Sequence, residues 1–510
     1  MTLTKKKIAE FGDFQTPLEL ARQACRIAAQ NNANPASIVE PTCGTGNFLI
    51  AALDQFKNTE EAIGLEINPI YIKTITSRFH DRLDANKVRI LHGNFFKTNW
   101  SDLVLNLPEP ILVVGNPPWV TNSELGSLGS SNLPKKCNFR KYPGLDAITG
   151  KSNFDISEWM LIRILEALNG KTATMAMLCK TTVARKVLAH TWRNEIGLDS
   201  SHIYPINASE YFGVSVDACF LICRTSPLNH NYDCSLYKNI DQGKTMYAMG
   251  FRDGSLVARV DLYNQWKHLQ GKEVYKWRSG IKHDCTKIMA LKKEGRCYRN
   301  GFGEAVDIED RFLFPMFKSS DLANRAKESP RHWMIVTQKT VGDETRAIKH
   351  LAPRTWNYLQ KNAQYLDRRA SSIYKKRPRF SIFGVGPYTF SPWKVAISGF
   401  YKKLEFKAIG NIAGKPIVLD DTCYFIPCKT GAEAEYLASL LNSRVADEFF
   451  RAFVFWDAKR PITMELLRRL DLRALARELG TEDHLTGYFS PPIPAQKNLF
   501  PASGQVTLSS

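Results

Sequence analysis

SIVEPTCGTGNFLIAAL, residues 37–53, passes from a short apolar stretch through a glycine turn into a segment of helical character. A strand ending at Glu40 is followed by Gly44 and Gly46. These let the chain turn tightly and bring backbone N–H groups near a ligand before a helix starts near Asn47. Glycine turns between strand and helix are common, so this one gains its meaning from what the neighbouring strands carry at the same end of a sheet.

Strand-like and helix-like segments alternate on both sides of it. TPLELARQACRIAAQ, residues 16–30, sets Leu18, Ala21, Cys25 and Ala28 on one helical face after a Thr-Pro start. Downstream come AIGLEI, PIYIKTITSRFHDRL, VRILHGNF, LVLNLPEPILVVG, FDISEWMLIRILEALNG, TATMAML, VARKVLAHTWRNE, SHIYPI and DACFLICR. The alternation predicts an α/β fold: a Rossmann-like, doubly wound, mostly parallel sheet covered on both faces.

Chemistry collects at the predicted strand ends. Glu66 closes AIGLEI, twenty residues after Gly46, where an acidic side chain can accept hydrogen bonds from both ribose hydroxyls of a nucleoside. The third run ends in His92-Gly93-Asn94-Phe95, a polar side chain able to bond adenine beside an aromatic able to pack on it. The turn reads Gly44-Thr45-Gly46-Asn47-Phe48-Leu49, without the GxGxxG of a dinucleotide site. Glu40 would repel a pyrophosphate but suits the positively charged amino-acid end of S-adenosyl-L-methionine.

The fourth run, ILVVGNPPWV at 111–120, ends in Asn116-Pro117-Pro118-Trp119. Proline fixes its own φ and pushes the preceding residue toward extended geometry. The Asn116 side-chain oxygen and the Pro117 carbonyl can therefore act as two preset acceptors, which is what an exocyclic amine with two N–H bonds requires. Such an amine is a poor nucleophile while its lone pair is delocalised, and holding both hydrogens favours the pyramidal, reactive form. The sulfonium methyl is already activated, so neither a metal nor a covalent intermediate is required. Trp119 offers a face for stacking the base. The bland alternative is a rigid turn with Trp119 in the core.

At 510 residues and 44% hydrophobic content the chain can build two cores, hence two main domains. No apolar run reaches the roughly 20 residues that span a bilayer, and MTLTKKKIAEFGDFQTP lacks a signal-peptide core, so a soluble cytoplasmic protein is expected. The eleven cysteines form no CxxC pair and read as buried reduced thiols, and Cys219 and Cys223 have no companion ligands, so no metal site is expected. The formal net charge is +19, and from residue 271 onward 40 Lys and Arg face 25 Asp and Glu, a bias that suits a polyanionic partner. Residues 121–153 form a long Gly/Ser/Asn-rich stretch expected to be a functional or disordered loop. Its GLDAITGKS misses the P-loop spacing by one residue. From about Trp277 the texture turns β-rich with some helix.

These motifs resemble those of S-adenosylmethionine-dependent amino-methyltransferases and, more narrowly, of the gamma group of adenine-specific DNA methyltransferases. FQTP at 14–17 is similar to the family's tenth motif and precedes EPTCGTGNF at 40–48; GLEINP at 64–69, GNFF at 93–96 and NPPW at 116–119 follow in the gamma order. A large basic region comes last, where that group keeps its target-recognition domain. The resemblance covers roughly the first half of the chain. The second half is similar to related enzymes only loosely, through FLFPMFKSSDL, SSIYKKRPRFSIFGVG and DAKRPIT.

The resemblance implies Thr16, Glu40, Gly44 and Gly46 around the methionine end of the cofactor, Glu66 on its ribose, and Asn94 and Phe95 at its adenine, with Pro17, Pro41, Asn47, Phe48 and Ile67 completing that site. Asn116, Pro117, Pro118 and Trp119 would hold the target base. Two positions depart from the family: Asn94 stands where aspartate is common, and the aromatic expected from a late strand is replaced in VDACFLICR by Cys223, with Phe220 nearby. The expected organisation is a catalytic domain over 1–240, a connecting segment over 241–276, an α+β target-recognition domain over 277–484 and a loosely attached tail over 485–510.

A target amine inside a duplex is out of reach, so the base must be flipped out of double-stranded DNA. Candidate phosphate contacts are Lys135, Lys136, Arg140 and Lys141 in the long loop, then Arg368, Arg369, Lys375, Lys376, Arg377 and Arg379 in DRRASSIYKKRPRF, and Lys459 and Arg460. The expected activity is methylation of the adenine N6 amine by a protein acting as a monomer, with a separate cognate restriction endonuclease as a compatible partner. The alternatives are methylation of the cytosine N4 amine, an RNA or protein-glutamine substrate, and a non-catalytic DNA specificity module.

Overall fold

The apolar runs of the first half become Ser37–Glu40 (β1), Glu61–Glu66 (β2), Val88–His92 (β3), Ile111–Gly115 (β4) and Ala173–Lys180 (β5), which lie parallel in the order β3-β2-β1-β4-β5. β1 and β4 show no polar alternation because both faces of the sheet are covered, and every residue of each is buried. Strand order reverses between β1 and β4. This is the switch point at which α/β sheets open a crevice at their carboxyl ends.

This computed structural model describes residues 15–120, 155–241, 243–295, 297–324, 330–486 and 488, and divides into two compact units, Met1–Asp261 and Leu262–Ser510. Lys135, Lys136, Arg140 and Lys141, and the tail from residue 489, lie outside the described residues.

The helix read from the N-terminal pattern is Leu18–Gln30 (α1), with Ala21, Cys25 and Ala28 fully buried and Leu18 half-buried. Asn47–Gln55 (α2) leaves the glycine turn, and Pro69–Phe79 (α3) starts behind Asn68, whose side chain accepts the Ile70 N–H. Trp100–Leu105 (α4), Ile156–Ala167 (α5) and Thr181–Arg193 (α6) follow in turn.

Beyond β5 the sheet is less parallel than expected. Leu198–Ile206 (β6) is reached through Ala218–Thr225 (β7), which runs antiparallel to both β5 and β6 and lies between them. Asp233–Tyr237 (β8) is parallel to β6, and Thr245–Arg252 (β9) and Ser255–Val257 (β10) continue the sheet antiparallel, giving ten strands.

The segment 241–276, expected as a connector, is therefore corrected: β9 and β10 extend the first unit and the division falls after Asp261. β9 pairs with β8, and the chain then turns back through a two-residue hairpin at Asp253 and Gly254, with φ of 48° and 74°. Asp-Gly is the residue pair that favours such a turn, because its twist matches that of the flanking strands.

The second unit is α+β. Arg278–Ser279, Cys423–Cys428, Trp393–Ser398 and Lys407–Ile409 form one antiparallel sheet, a second sheet has six strands, and the helices Gly431–Leu441 and Arg444–Arg451 belong to the same unit. Phe380, Phe425, Phe449 and Phe450 are among its largest fully buried side chains. No helix among the described residues is long and apolar enough to cross a membrane, and no group of three or more His, Cys, Asp or Glu there could hold a metal ion.

Candidate functional site

A cavity opens at the carboxyl ends of β1 to β4. Of the residues expected at the cofactor, Thr16, Glu40, Pro41, Gly44, Asn47, Phe48, Glu66, Ile67, Asn94 and Phe95 line it, and of the catalytic four Asn116 and Pro118 do. Pro17, Gly46, Pro117 and Trp119 do not. Pro17 precedes α1, and Gly46 acts through backbone geometry.

Gly46 adopts φ 81° at the start of α2, and a Cβ there would lie 2.4 Å from Ile75 Cδ1 of α3. The glycine thus serves both the left-handed turn and the close approach of α3. Gly44, at φ 50°, donates its N–H to Glu66 Oε2 at 2.8 Å. Glu66 Oε1 accepts from the N–H groups of Ile67 at 2.9 Å and Asn68 at 2.7 Å. Three backbone donors therefore fix this carboxylate at the cavity wall and tie the glycine turn to β2.

Glu40 is 3% exposed, and its Oε2 accepts the Leu49 N–H of α2 at 3.0 Å. Burial holds its carboxyl well above the usual carboxylate range; the Leu49 N–H opposes the rise, Glu66 adds to it and Arg78 opposes it. Asn47 bridges Thr16 and the turn: its Nδ2 donates to the Thr16 carbonyl at 2.6 Å, and its Oδ1 accepts from Arg78 at 2.7 Å. Arg78 belongs to no motif, and only its position on α3 reveals it.

Asn94 Oδ1 accepts the Phe96 N–H at 2.9 Å, which fixes the amide beside the cavity. Phe95 is largely a core aromatic, with its ring 4.6 Å from that of Trp100 and its carbonyl accepting the Trp100 indole N–H at 3.1 Å. Phe96, the last residue of GNFF but not among the expected site residues, also lines the cavity.

Asn116 Nδ2 donates to Thr16 Oγ1 at 3.2 Å, which joins the segment just before α1 to the residue that follows β4. Trp119 is 7% exposed, with its indole N–H donating to the Leu178 carbonyl at 3.4 Å and its ring edge-on to Phe212 at 5.2 Å. The indole thus sits in the core as the bland alternative had it. Cys223 and Phe220 are fully buried within β7, between β5 and β6, and Phe212 ends the short helix Ala208–Phe212 beside Trp119.

In the second unit, Arg368, Lys375, Lys376, Arg377 and Lys459 are exposed. Three other expected phosphate contacts also make bonds within the unit, and of these Arg379 is exposed. Arg369 donates to the carbonyls of Leu366, Ser381 and His283 at 2.7, 2.7 and 3.1 Å and lies 3.6 Å over the Tyr374 ring. Arg379 pairs with Asp367 at 2.6 Å and Gln360 at 3.1 Å, and Arg460 donates to the Asp421 carbonyl at 3.0 Å while stacking 4.6 Å from Phe400.

The family model described as N-6 DNA Methylase matches residues 1–196. Over 474 residues the chain is 47% identical to the type II methyltransferase M.NspV of Nostoc sp., covering 93% of this chain and 98% of that protein. The type II methyltransferase M.CvrRI of Paramecium bursaria Chlorella virus XZ-6E is 29% identical over 119 residues, 23% of this chain and 27% of that protein. Among solved structures, the type IIL restriction-modification enzyme MmeI in complex with DNA superposes with a TM-score of 0.55 at 13% identity, over 97% of this chain and 73% of that one.

Proposed function

Because the chain belongs to the N-6 DNA methylases and is an adenine-N6 DNA methyltransferase of restriction-modification type, we propose that its strand-end cavity binds S-adenosyl-L-methionine and that Asn116 and Pro117 activate the adenine amine. The residues present fit that cofactor. A carboxylate at Glu66 is fixed by three backbone donors, Asn94 presents an amide oxygen one strand further, and Glu40 lies beneath the glycine turn. When bound, the cofactor supplies an electrophilic methyl group on a sulfonium. Asn116 Oδ1 and the Pro117 carbonyl would each accept one N–H of the flipped amine, drawing its nitrogen lone pair out of the ring, and one amine proton would leave to water. The observation that carries the reading is the Thr16–Asn116 hydrogen bond, which joins the expected cofactor residue to the expected catalytic one at a single cavity.

The buried Glu40 gives this reading a pH signature. Its raised pKa favours the protonated form, so its contribution to folding is present below the unfolded carboxylate value and is lost as pH rises through the folded value. A cationic ammonium beside it reverses that preference. Cofactor binding is expected to release a proton and to tighten as pH rises, measured by calorimetry in buffers of different ionisation enthalpy. Glu40→Gln should abolish the proton release and weaken binding. Proton release unchanged in that variant would remove Glu40 from the cofactor site.

For the DNA side, the exposed Lys375, Lys376 and Arg377 contact phosphates. Replacing all three by serine is expected to reduce the slope of log affinity against log salt by about 2 to 3, with cofactor affinity unchanged. An unaltered slope would place the phosphate contacts elsewhere. The naming of M.NspV as a type II methyltransferase supports a separate endonuclease of the same sequence specificity as the partner of this enzyme.

A further inference from the structure

The chain that follows the catalytic tetrapeptide is gripped by an ion pair that the chemistry above does not use. Lys180 ends β5, and its Nζ donates to the Trp119 carbonyl at 3.1 Å and to Asp155 Oδ2 at 2.7 Å. Asp155 is 8% exposed; its Oδ1 accepts the Ser157 N–H at 3.1 Å and the Ser157 hydroxyl at 2.5 Å, so the same carboxylate caps α5. One residue on, the Ile156 N–H donates to the Val120 carbonyl at 2.9 Å. Upstream, the Thr42 hydroxyl lies 3.5 Å from the Asn116 carbonyl and the Asn116 amide is held by Thr16. The tetrapeptide is therefore anchored on both sides.

We propose that Lys180 and Asp155 are positioning residues for methyl transfer, fixing the Trp119 carbonyl and through it the direction of the Pro117 carbonyl that accepts the target amine. The inference rests on the reading of Asn116 and Pro117 as amine acceptors. The proline rings fix φ at 117 and 118, so the remaining freedom lies in the ψ torsions between the two anchors. An apolar side chain at position 180 could fill the same space, and buried ion pairs are inefficient stabilisers compared with well-packed apolar groups. A cation reaching one particular carbonyl supplies direction, which packing alone does not. Neither Lys180 nor Asp155 lines the cofactor cavity, so their effect reaches the reaction through the backbone of the motif.

The test compares Lys180→Met, Lys180→Arg and Asp155→Asn in the full chain, by single-turnover methyl transfer, cofactor affinity and thermal midpoint. Lys180→Met is expected to slow transfer by about 10- to 100-fold, the range for a displacement near 1 Å, while binding cofactor as the wild type does. Lys180→Arg should recover most of the rate because it still reaches the carbonyl, and Asp155→Asn should fall between the two. Full-rate transfer by Lys180→Met, or a loss no larger than its loss of cofactor-binding protein, overturns the proposal. So does an arginine variant no faster than the methionine one. If Lys180→Met does not fold, an unchanged rate in Asp155→Asn overturns it. Asn116→Ala is measured alongside: a slow Asn116→Ala with a full-rate Lys180→Met removes only the positioning role, whereas a full-rate Asn116→Ala removes the acceptor reading itself.

Discussion

Asn116→Ala is expected to slow methyl transfer to DNA by about 10²- to 10³-fold, the loss typical of deleting one preorganised polar group that acts on the reacting centre. The substitution removes the side-chain acceptor for the adenine amine and leaves Pro117 as the remaining one. Its cost should fall on the single-turnover rate constant, with cofactor affinity changed far less, because the side chain lost is an acceptor for the substrate amine while Glu40, Glu66 and Asn94 still line the cavity. Asn116→Asp keeps an acceptor oxygen that the Thr16 hydroxyl can still bond, so it should retain more activity than alanine. Rapid-quench transfer of a labelled methyl group measures both. An alanine variant within a few-fold of wild type would mean that the amine is activated by something other than this side chain.

Glu66→Ala should have the largest effect on cofactor binding. The side chain is 8% exposed, and its two oxygens accept the N–H groups of Gly44, Ile67 and Asn68 at 2.8, 2.9 and 2.7 Å. Removing it deletes the ribose acceptor and also orphans three donors that shape the glycine turn. Loss of charge-assisted hydrogen bonds on that scale costs on the order of 3 kcal/mol, or about 10²-fold in affinity. Glu66→Gln is not expected to rescue it, because either placement of the amide sets its NH2 group against a backbone N–H. Calorimetric titration with cofactor, together with thermal denaturation, separates the binding loss from the fold loss. Wild-type affinity in Glu66→Ala would take the ribose away from this residue.

The four strand ends are legible in the sequence because a parallel α/β sheet gathers its ligand groups at one edge, so position along each run already implies position in space. Glu40, Glu66, Asn94 and Asn116 all line one cavity for that reason. Phe212 is hidden from such a reading because β7 enters antiparallel between β5 and β6, which buries Cys223 and Phe220 and moves the neighbouring aromatic to the preceding short helix. The hairpin of β9 and β10 has a local signal in Asp253-Gly254, but a turn does not specify which sheet its strands will join, and here they extend the first unit.

By itself the sequence determined the order of the main strands and helices as far as β7, the tight turn at Gly44 and Gly46, and the restricted geometry of Asn116-Pro117-Pro118. Each of these is set by the torsions of a residue and its immediate neighbours. Only the tertiary structure decided which polar side chains meet. Asn116 finds Thr16 a hundred residues away, Lys180 reaches the Trp119 carbonyl, and Arg369 donates to the carbonyls of His283 and Ser381. Long polar side chains can satisfy their hydrogen bonds in many ways, and burial and the acceptors brought within reach by folding select among them.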